Sequence, residues 1–239
     1  MKTTSLLFGL LSAAMLAFAI PAQGQIVTAS ATAPTTSGDD INNIISGSIS
    51  GDDYTNHNPP GQTFLTGGAG GGYLLNSITV EGGGNAGGYE NALFSLTIYS
   101  VSGTALTLVD YENYFIPDDS ASDYLTFTPD SPVSLAANTE YAFTIGNMPD
   151  GYGGITNPSS WFGFVDSNAT GSTYANGTAI GATLPASGSL TSTSIATTEP
   201  YDMSFAVSLS ETPEPSAWAM MAGGVAVLAG ILFLRHRTI

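Results

Sequence analysis

Oxygen-bearing side chains crowd one short segment of this sequence, Asp52-Asp53-Tyr54-Thr55-Asn56-His57-Asn58-Pro59-Pro60. Calcium binds oxygen ligands alone, and Asp52, Asp53, Asn56 and Asn58 can supply several from one loop. Asp118, Asp119 and Asp123 form a second acidic group. Neither group has EF-hand spacing, and acidic loops in an anionic chain are ordinarily solvated, so calcium is the one cofactor to consider and none is required. A Ser-His-Asp triad would have to use His57, the single histidine ahead of the C-terminal tip; its polar, turn-rich surroundings read as a solvated loop. With no cysteine and one such histidine, zinc, copper and haem sites fall away. Glycoside hydrolysis needs two carboxylates at a set separation, and among nineteen carboxylates no pair is singled out. Tyr152, Trp161 and Phe162, in a glycine-rich region, can form an apolar platform for the rings of a neutral glycan. The competing reading packs Trp161, at the start of a strand, into the core. The expectation is a non-enzymatic protein with no catalytic residue.

The elements that would position these groups read as strands. Met203, Phe205, Val207 and Leu209 alternate with Ser204, Ala206, Ser208 and Ser210; Phe94, Leu96 and Ile98 alternate with Ser95, Thr97 and Tyr99; Tyr141, Phe143 and Ile145 alternate with Ala142 and Thr144. A period of two buries one face of each. Further runs at Gln62 to Thr66, Tyr73 to Glu81, Leu106 to Tyr111, Tyr124 to Thr128, Pro132 to Leu135 and Trp161 to Asp166 bring the expectation to about nine strands. No apolar period of a helix is sustained between Gln25 and Glu211, so the predicted class is all-β, an antiparallel β-sandwich of jelly-roll-like form. It occupies residues 38–210, behind a leader or edge strand at 25–37. The glycine-rich runs at 67–72 and 82–88 read as turns flanking a strand, and 183–198, dominated by Ser, Thr, Ala and Gly, as a long loop.

Both ends read differently. Lys2 followed by the apolar run Leu6 to Ile20, then Pro21 and Ala22-Gln23-Gly24, is the pattern of a signal peptide over residues 1–24, cut by signal peptidase before Gln25. Ala217 to Leu234 carries no charge and, as a helix, is about 27 Å long, enough to span a bilayer core. Arg235 and Arg237 follow it, and cations flanking a span stay cytoplasmic, which leaves residues 25–212 outside. Lys2, Arg235 and Arg237 are the only three cations; all nineteen carboxylates fall between Asp39 and Glu214. A surface with no Lys or Arg releases no counterions from phosphate polymers, which excludes nucleic acid as a partner and leaves divalent cations or neutral polymers.

Residues 211–239 carry a more specific pattern. Thr212-Pro213-Glu214-Pro215-Ser216-Ala217-Trp218, then Met220 to Leu234 with Gly223-Gly224, then Arg235-His236-Arg237, resembles the PEP-CTERM sorting signal, with tripeptide, membrane helix and basic tip in order. Thr212 stands where such tails more often have Val. The resemblance implies a Gram-negative type of envelope, recognition of Pro213, Glu214 and Pro215 by a membrane-embedded exosortase, removal of the tail, and transfer of the ectodomain to the cell surface or an extracellular polysaccharide matrix. The ectodomain is also similar to β-sandwich domains found before such tails, through Gly61-Gln62-Thr63-Phe64, Gly72-Tyr73, the Leu75 to Val80 run and Tyr201 to Leu209. The expected role is structural or adhesive, with a carbohydrate-binding module as the alternative and a secreted glycan hydrolase third.

Overall fold

Strands that alternate large apolar with small polar side chains must cover one face with a second layer. The computed structural model describes residues 25–38, 40–45, 52–54, 59–87, 93–117, 123–147, 161–166, 174–183 and 192–212, which hold fifteen strands and no helix. The strands are β1 (Gln25–Ile26), β2 (Thr28–Ser30), β3 (Ile41–Asn43), β4 (Asp52–Tyr54), β5 (Pro60–Leu65), β6 (Tyr73–Gly87), β7 (Leu93–Ser102) and β8 (Ala105–Phe115). Then come β9 (Tyr124–Phe127), β10 (Val133–Leu135), β11 (Glu140–Asn147), β12 (Trp161–Val165), β13 (Ala179–Ala182), β14 (Ser192–Thr198) and β15 (Phe205–Glu211). All nine runs read from the sequence are strands, and every pairing is antiparallel except that of β1 with β8. The chain is all-β. The expected signal peptide and C-terminal membrane helix lie outside the described residues.

One sheet is organised on β6. β15 pairs along Tyr73 to Val80, β10 along Tyr73 to Leu75 and β9 along Ile78 to Glu81, while β12 takes the end from Gly82 to Gly87. β3 adds to β15, β2 to β9 and β4 to β12. The glycine run expected to be a turn is a correction: Gly82 to Gly87 continue β6. Four of these six residues are glycines with no side chain to pack, yet the backbone pairs with β12 at Gly82, Ala86 and Gly87 around an irregularity between Phe162 and Phe164.

The second sheet closes on itself. Of its seven strands, all but β1 form a ring in the order β8, β14, β13, β5, β11, β7 and back to β8. Closure removes the exposed edges that a flat sheet would leave. Two cores result. The larger lies between the ring wall and the β6 sheet, where Phe143 of β11 meets Phe205 of β15 at 5.7 Å between ring centroids and Tyr114 of β8 meets Phe127 of β9 edge-on at 5.2 Å. The smaller, on the opposite face of the ring strands, joins Tyr99, Leu106, Ala142, Ile180 and Ala182, with Val101, Leu108 and Ile195 packed on them. Neighbouring parity explains the split: Ile98 faces the large core and Tyr99 the small one.

Closure needs β14, and this corrects the reading of 183–198 as a loop over 192–198; residues 184–191 lie outside the described residues. Ser192 to Ser194 pair with Thr107 to Ala105, and Ile195 to Thr198 pair with β13. The leader also pairs: β1 lies on Tyr114 and Phe115, and β2 on Tyr124 to Thr126. Leu106 is fully buried in the small core. Leu106→Ala is therefore expected to lower the unfolding free energy by about 2–5 kcal/mol in urea titrations. A change below about 0.5 kcal/mol would place that face in solvent.

Candidate functional site

The outward side chains of the β6 sheet form a polar groove. Ser77 and Thr79 of β6 alternate with the core residues Ile78 and Val80, Ala206 and Ser208 of β15 with Phe205 and Val207, and Thr126 of β9 lies between Leu125 and Phe127. Register brings them into rows, with Thr79 opposite both Thr126 and Ala206 and Ser77 opposite Ser208. Pro34, Thr35 and Thr36, together with Asp40, complete a cavity of about 150 Å³. The Thr79 and Thr126 hydroxyls bond each other at 2.9 Å. Each hydroxyl can donate or accept, so the floor suits a hydroxylated neutral ligand, with the Asp40 carboxylate as a strong acceptor at the margin.

Asp40 also fastens the leader to the sheet. Its Oδ1 accepts from the Leu209 N–H at 2.8 Å, and its Oδ2 from the Ser37 N–H at 2.5 Å and the Ser37 hydroxyl at 3.0 Å. Burial by itself would raise its pKa, but these bonds, with one from the Ser208 hydroxyl, outweigh burial and hold the carboxyl below its ordinary value.

A second carboxylate does similar work at the other end of the leader. Glu112 accepts from the Gln25 side-chain amide at 3.1 Å, the Tyr114 hydroxyl at 2.9 Å and the Asp130 N–H at 2.9 Å, joining β1, β8 and the turn after β9. Burial raises its pKa, and the like charges of Asp110 and Asp130 add to the rise against the Tyr114 and Asp130 bonds. Burial pushes the Tyr114 phenol up as well, assisted by Glu112. A raised acid beside a phenol is an arrangement that general acids use. Here three donors converge on Glu112 from separate segments, which is the arrangement of a structural tie.

A third polar cluster centres on the buried Asp202 and Gln62. Asp202 accepts from the Gln62 amide at 2.9 Å and the Tyr174 N–H at 2.8 Å, while the Gln62 carbonyl oxygen accepts from the Met203 N–H at 3.0 Å. It fixes the approach to β15 against β5.

The residues nominated from sequence lie elsewhere. Asp52 and Asp53 belong to β4 and pair with Val165 and Phe164, which corrects their reading as a loop; Asn56, Asn58 and His57 lie outside the described residues. Trp161 and Phe162 begin β12 and pair with Gly87 and Ala86, so β12 joins both nominated segments in one stretch of sheet. Tyr152, Asp118, Asp119, Pro213, Glu214, Pro215, Arg235 and Arg237 lie outside the described residues, and Asp123 stands just before β9. Among the described residues, no group of three or more His, Cys, Asp or Glu side chains converges on a possible metal position. The groove itself escaped sequence reasoning. Its signal was the outward parity of Ser77, Thr79, Thr126 and Ser208, but the partnership of Asp40 with Leu209 spans the domain.

The chain matches no family model and no curated protein. Among solved structures it is similar to the clostridial cysteine protease Cwp84 after propeptide cleavage, in a cysteine-to-alanine variant, with 10% identity and a TM-score of 0.43 over 75% of this chain. The chain spans 42% of that structure's length.

The Asp40 bonds predict a pH dependence. A carboxyl with a lowered folded pKa contributes stability that is present above its unfolded value, near 3.8, and lost as pH falls through the folded value. Glu112 has the opposite sign: its ionisation weakens the fold as pH rises from its unfolded value, near 4.5, through the raised one. Asp40→Asn is expected to melt below the wild type at pH 6, with the gap closing as pH drops below 3.8. A gap that stays constant down to pH 2 would contradict the role given to its charge.

Proposed function

We propose that this chain is an exported cell-surface or extracellular-matrix protein whose tail is processed by an exosortase. Its jelly-roll-like β-sandwich has a non-enzymatic, structural or adhesive role in extracellular polysaccharide. The observation that carries the reading is the three-part tail, Pro213-Glu214-Pro215, the uncharged stretch Ala217 to Leu234 and the basic Arg235 and Arg237. Two prolines disfavour helix around Glu214 and leave a carboxylate on an extended segment beside the membrane, where an embedded enzyme can read it. Charge supports the destination: a surface without Lys or Arg stays soluble and does not compete for anionic polymers, so neutral glycans are the compatible neighbours.

Intact mass from cells with and without their exosortase tests the reading. Processing predicts a product lacking residues 217–239 in the first and an unprocessed tail in the second. The same full-length tail in both would leave a simple membrane anchor.

The groove of Ser77, Thr79, Thr126 and Ser208 supports a second reading, a module that binds a neutral glycan. A cavity of about 150 Å³ is smaller than ordinary ligand pockets, which run from about 300 Å³ upward, and matches a single sugar unit rather than a long chain. Titration against a panel of neutral polysaccharides is expected to give binding that Thr79→Val weakens about tenfold if the groove is used, and that Trp161→Ala weakens if the aromatic strand is used. Flat titrations across the panel would remove this second reading.

A further inference from the structure

The strand that leads to the tail is tied down to its last residue. Glu211 pairs with Tyr73, the Thr212 N–H donates to the Gly72 carbonyl at 3.0 Å, and the Thr212 hydroxyl donates to the Gly71 carbonyl. A side chain at Gly71 would run into Thr212, so the turn is shaped to accept it. Gly72, with φ of 81°, turns the chain back toward β6.

Two loops form the end of the domain at this point, and they are cross-linked. The Thr66 N–H donates to the Thr139 carbonyl at 3.1 Å, the Thr139 N–H to the Thr66 hydroxyl at 3.0 Å, and the Asn138 N–H to the Gly67 carbonyl at 2.8 Å. The end face is therefore Thr66 to Gly72 with Ala136 to Thr139, stretches without a charged residue; Glu140 and Glu211 stand at its margins.

The distance from this face to the membrane is bounded by chain length. Five backbone steps separate Thr212 from Ala217, and fully extended they cover at most about 18 Å. Lipid headgroups occupy roughly 5–7 Å outside the hydrocarbon core. At most about 12 Å of water remains, close to a Debye length, so charges on this face would feel the lipid phosphates. We infer that in the precursor the loops Thr66–Gly72 and Ala136–Thr139 are held against the bilayer surface, with the rest of the acidic domain standing away from it. The inference rests on Ala217 to Leu234 being a membrane helix, and the occupant of the face is the lipid headgroup layer. The consequence for processing is that Pro213-Glu214-Pro215 meets its enzyme between the bilayer and a fixed protein surface.

The absence of cysteine makes the test direct, because single cysteines can be labelled in the full chain. Ala136→Cys marks the proposed membrane-facing end. Asp123→Cys marks the opposite end of the β6 sheet, where the Asp123 carbonyl accepts from the Gly82 N–H, roughly 30 Å along β6 from Tyr73. The full chain is reconstituted in vesicles of mixed neutral and anionic phospholipid carrying an energy-acceptor headgroup in both leaflets. Transfer is expected to be several-fold stronger from the label at 136 than from that at 123. Insertion of ten Gly-Ser residues after Thr212 is expected to remove most of the difference. Equal or reversed transfer in protein that floats with the vesicles would overturn the inference while leaving the membrane helix intact, as would a difference undiminished by the insertion. Failure to float would overturn the membrane-helix reading, and the inference with it.

Discussion

No lysine or arginine stands between Gln25 and Thr212, since those residues occur only at positions 2, 235 and 237, so the described part of the chain holds its carboxylates without one of its own cations. The fold meets this constraint with neutral donors. Asp40 takes two backbone N–H groups and a hydroxyl, Glu112 a side-chain amide, a phenol and an N–H, Asp202 an amide and an N–H, and Glu81 the Ser204 hydroxyl at 2.7 Å. Hydrogen bonds to a charged acceptor are stronger than neutral ones, so Asp40 can tie several segments without a counter-charge, while Glu112 gathers its three donors although burial opposes its charge. The ties sit where the chain needs them: Asp40 and Glu112 secure the leader, Asp202 the approach to β15, and Glu81 the junction of β6 with Ser204.

These ties act on a frame set by apolar packing. β6 carries one sheet, the ring of β5, β7, β8, β11, β13 and β14 forms the other, and the large core between them takes aromatic side chains from both. The same parity that sends Ile78, Val80, Phe205 and Val207 into that core sends Ser77, Thr79, Ala206 and Ser208 outward into the groove. The groove is thus the polar face of the alternation that made the fold, roofed by a leader that Asp40 fastens. The exit of the tail is equally a product of the frame, since β15 runs beside β6 until Thr212 reaches the Gly71-Gly72 turn.

The strands were legible where alternation was strong. Phe94 to Ile98, Tyr141 to Ile145 and Phe205 to Leu209 declare themselves because one face carries large apolar side chains into the large core while the other carries small or polar ones such as Thr97, Ala142, Thr144, Ala206 and Ser208. β13 did not, because Ala179, Ile180, Gly181 and Ala182 are buried on both faces and all but Ile180 are small, which erases the period. β14 did not, because Ser192 to Thr198 has one large apolar residue, Ile195, and serves to close the ring rather than to fill it. Gly82 to Gly87 read as a turn from composition, yet pairing with β12 at Gly82, Ala86 and Gly87 keeps it in the sheet, with Gly84 at a φ of 78°. Closure, groove and ties all depend on contacts between distant segments, such as Asp40 with Leu209, which no local pattern encodes.

A fold in which neutral donors tie Asp40, Glu81 and Glu112, with no lysine or arginine from Gln25 to Thr212 and a strongly negative net charge, has a definite response to salt. The most direct test is the melting temperature of the full chain in a neutral detergent as sodium chloride rises from low millimolar to half molar at pH 7. Screening of mutual repulsion is expected to raise it steadily, with most of the gain achieved once the Debye length falls below about 10 Å. A melting temperature that falls with salt would show that attractive charge pairs hold the structure, and would contradict this account.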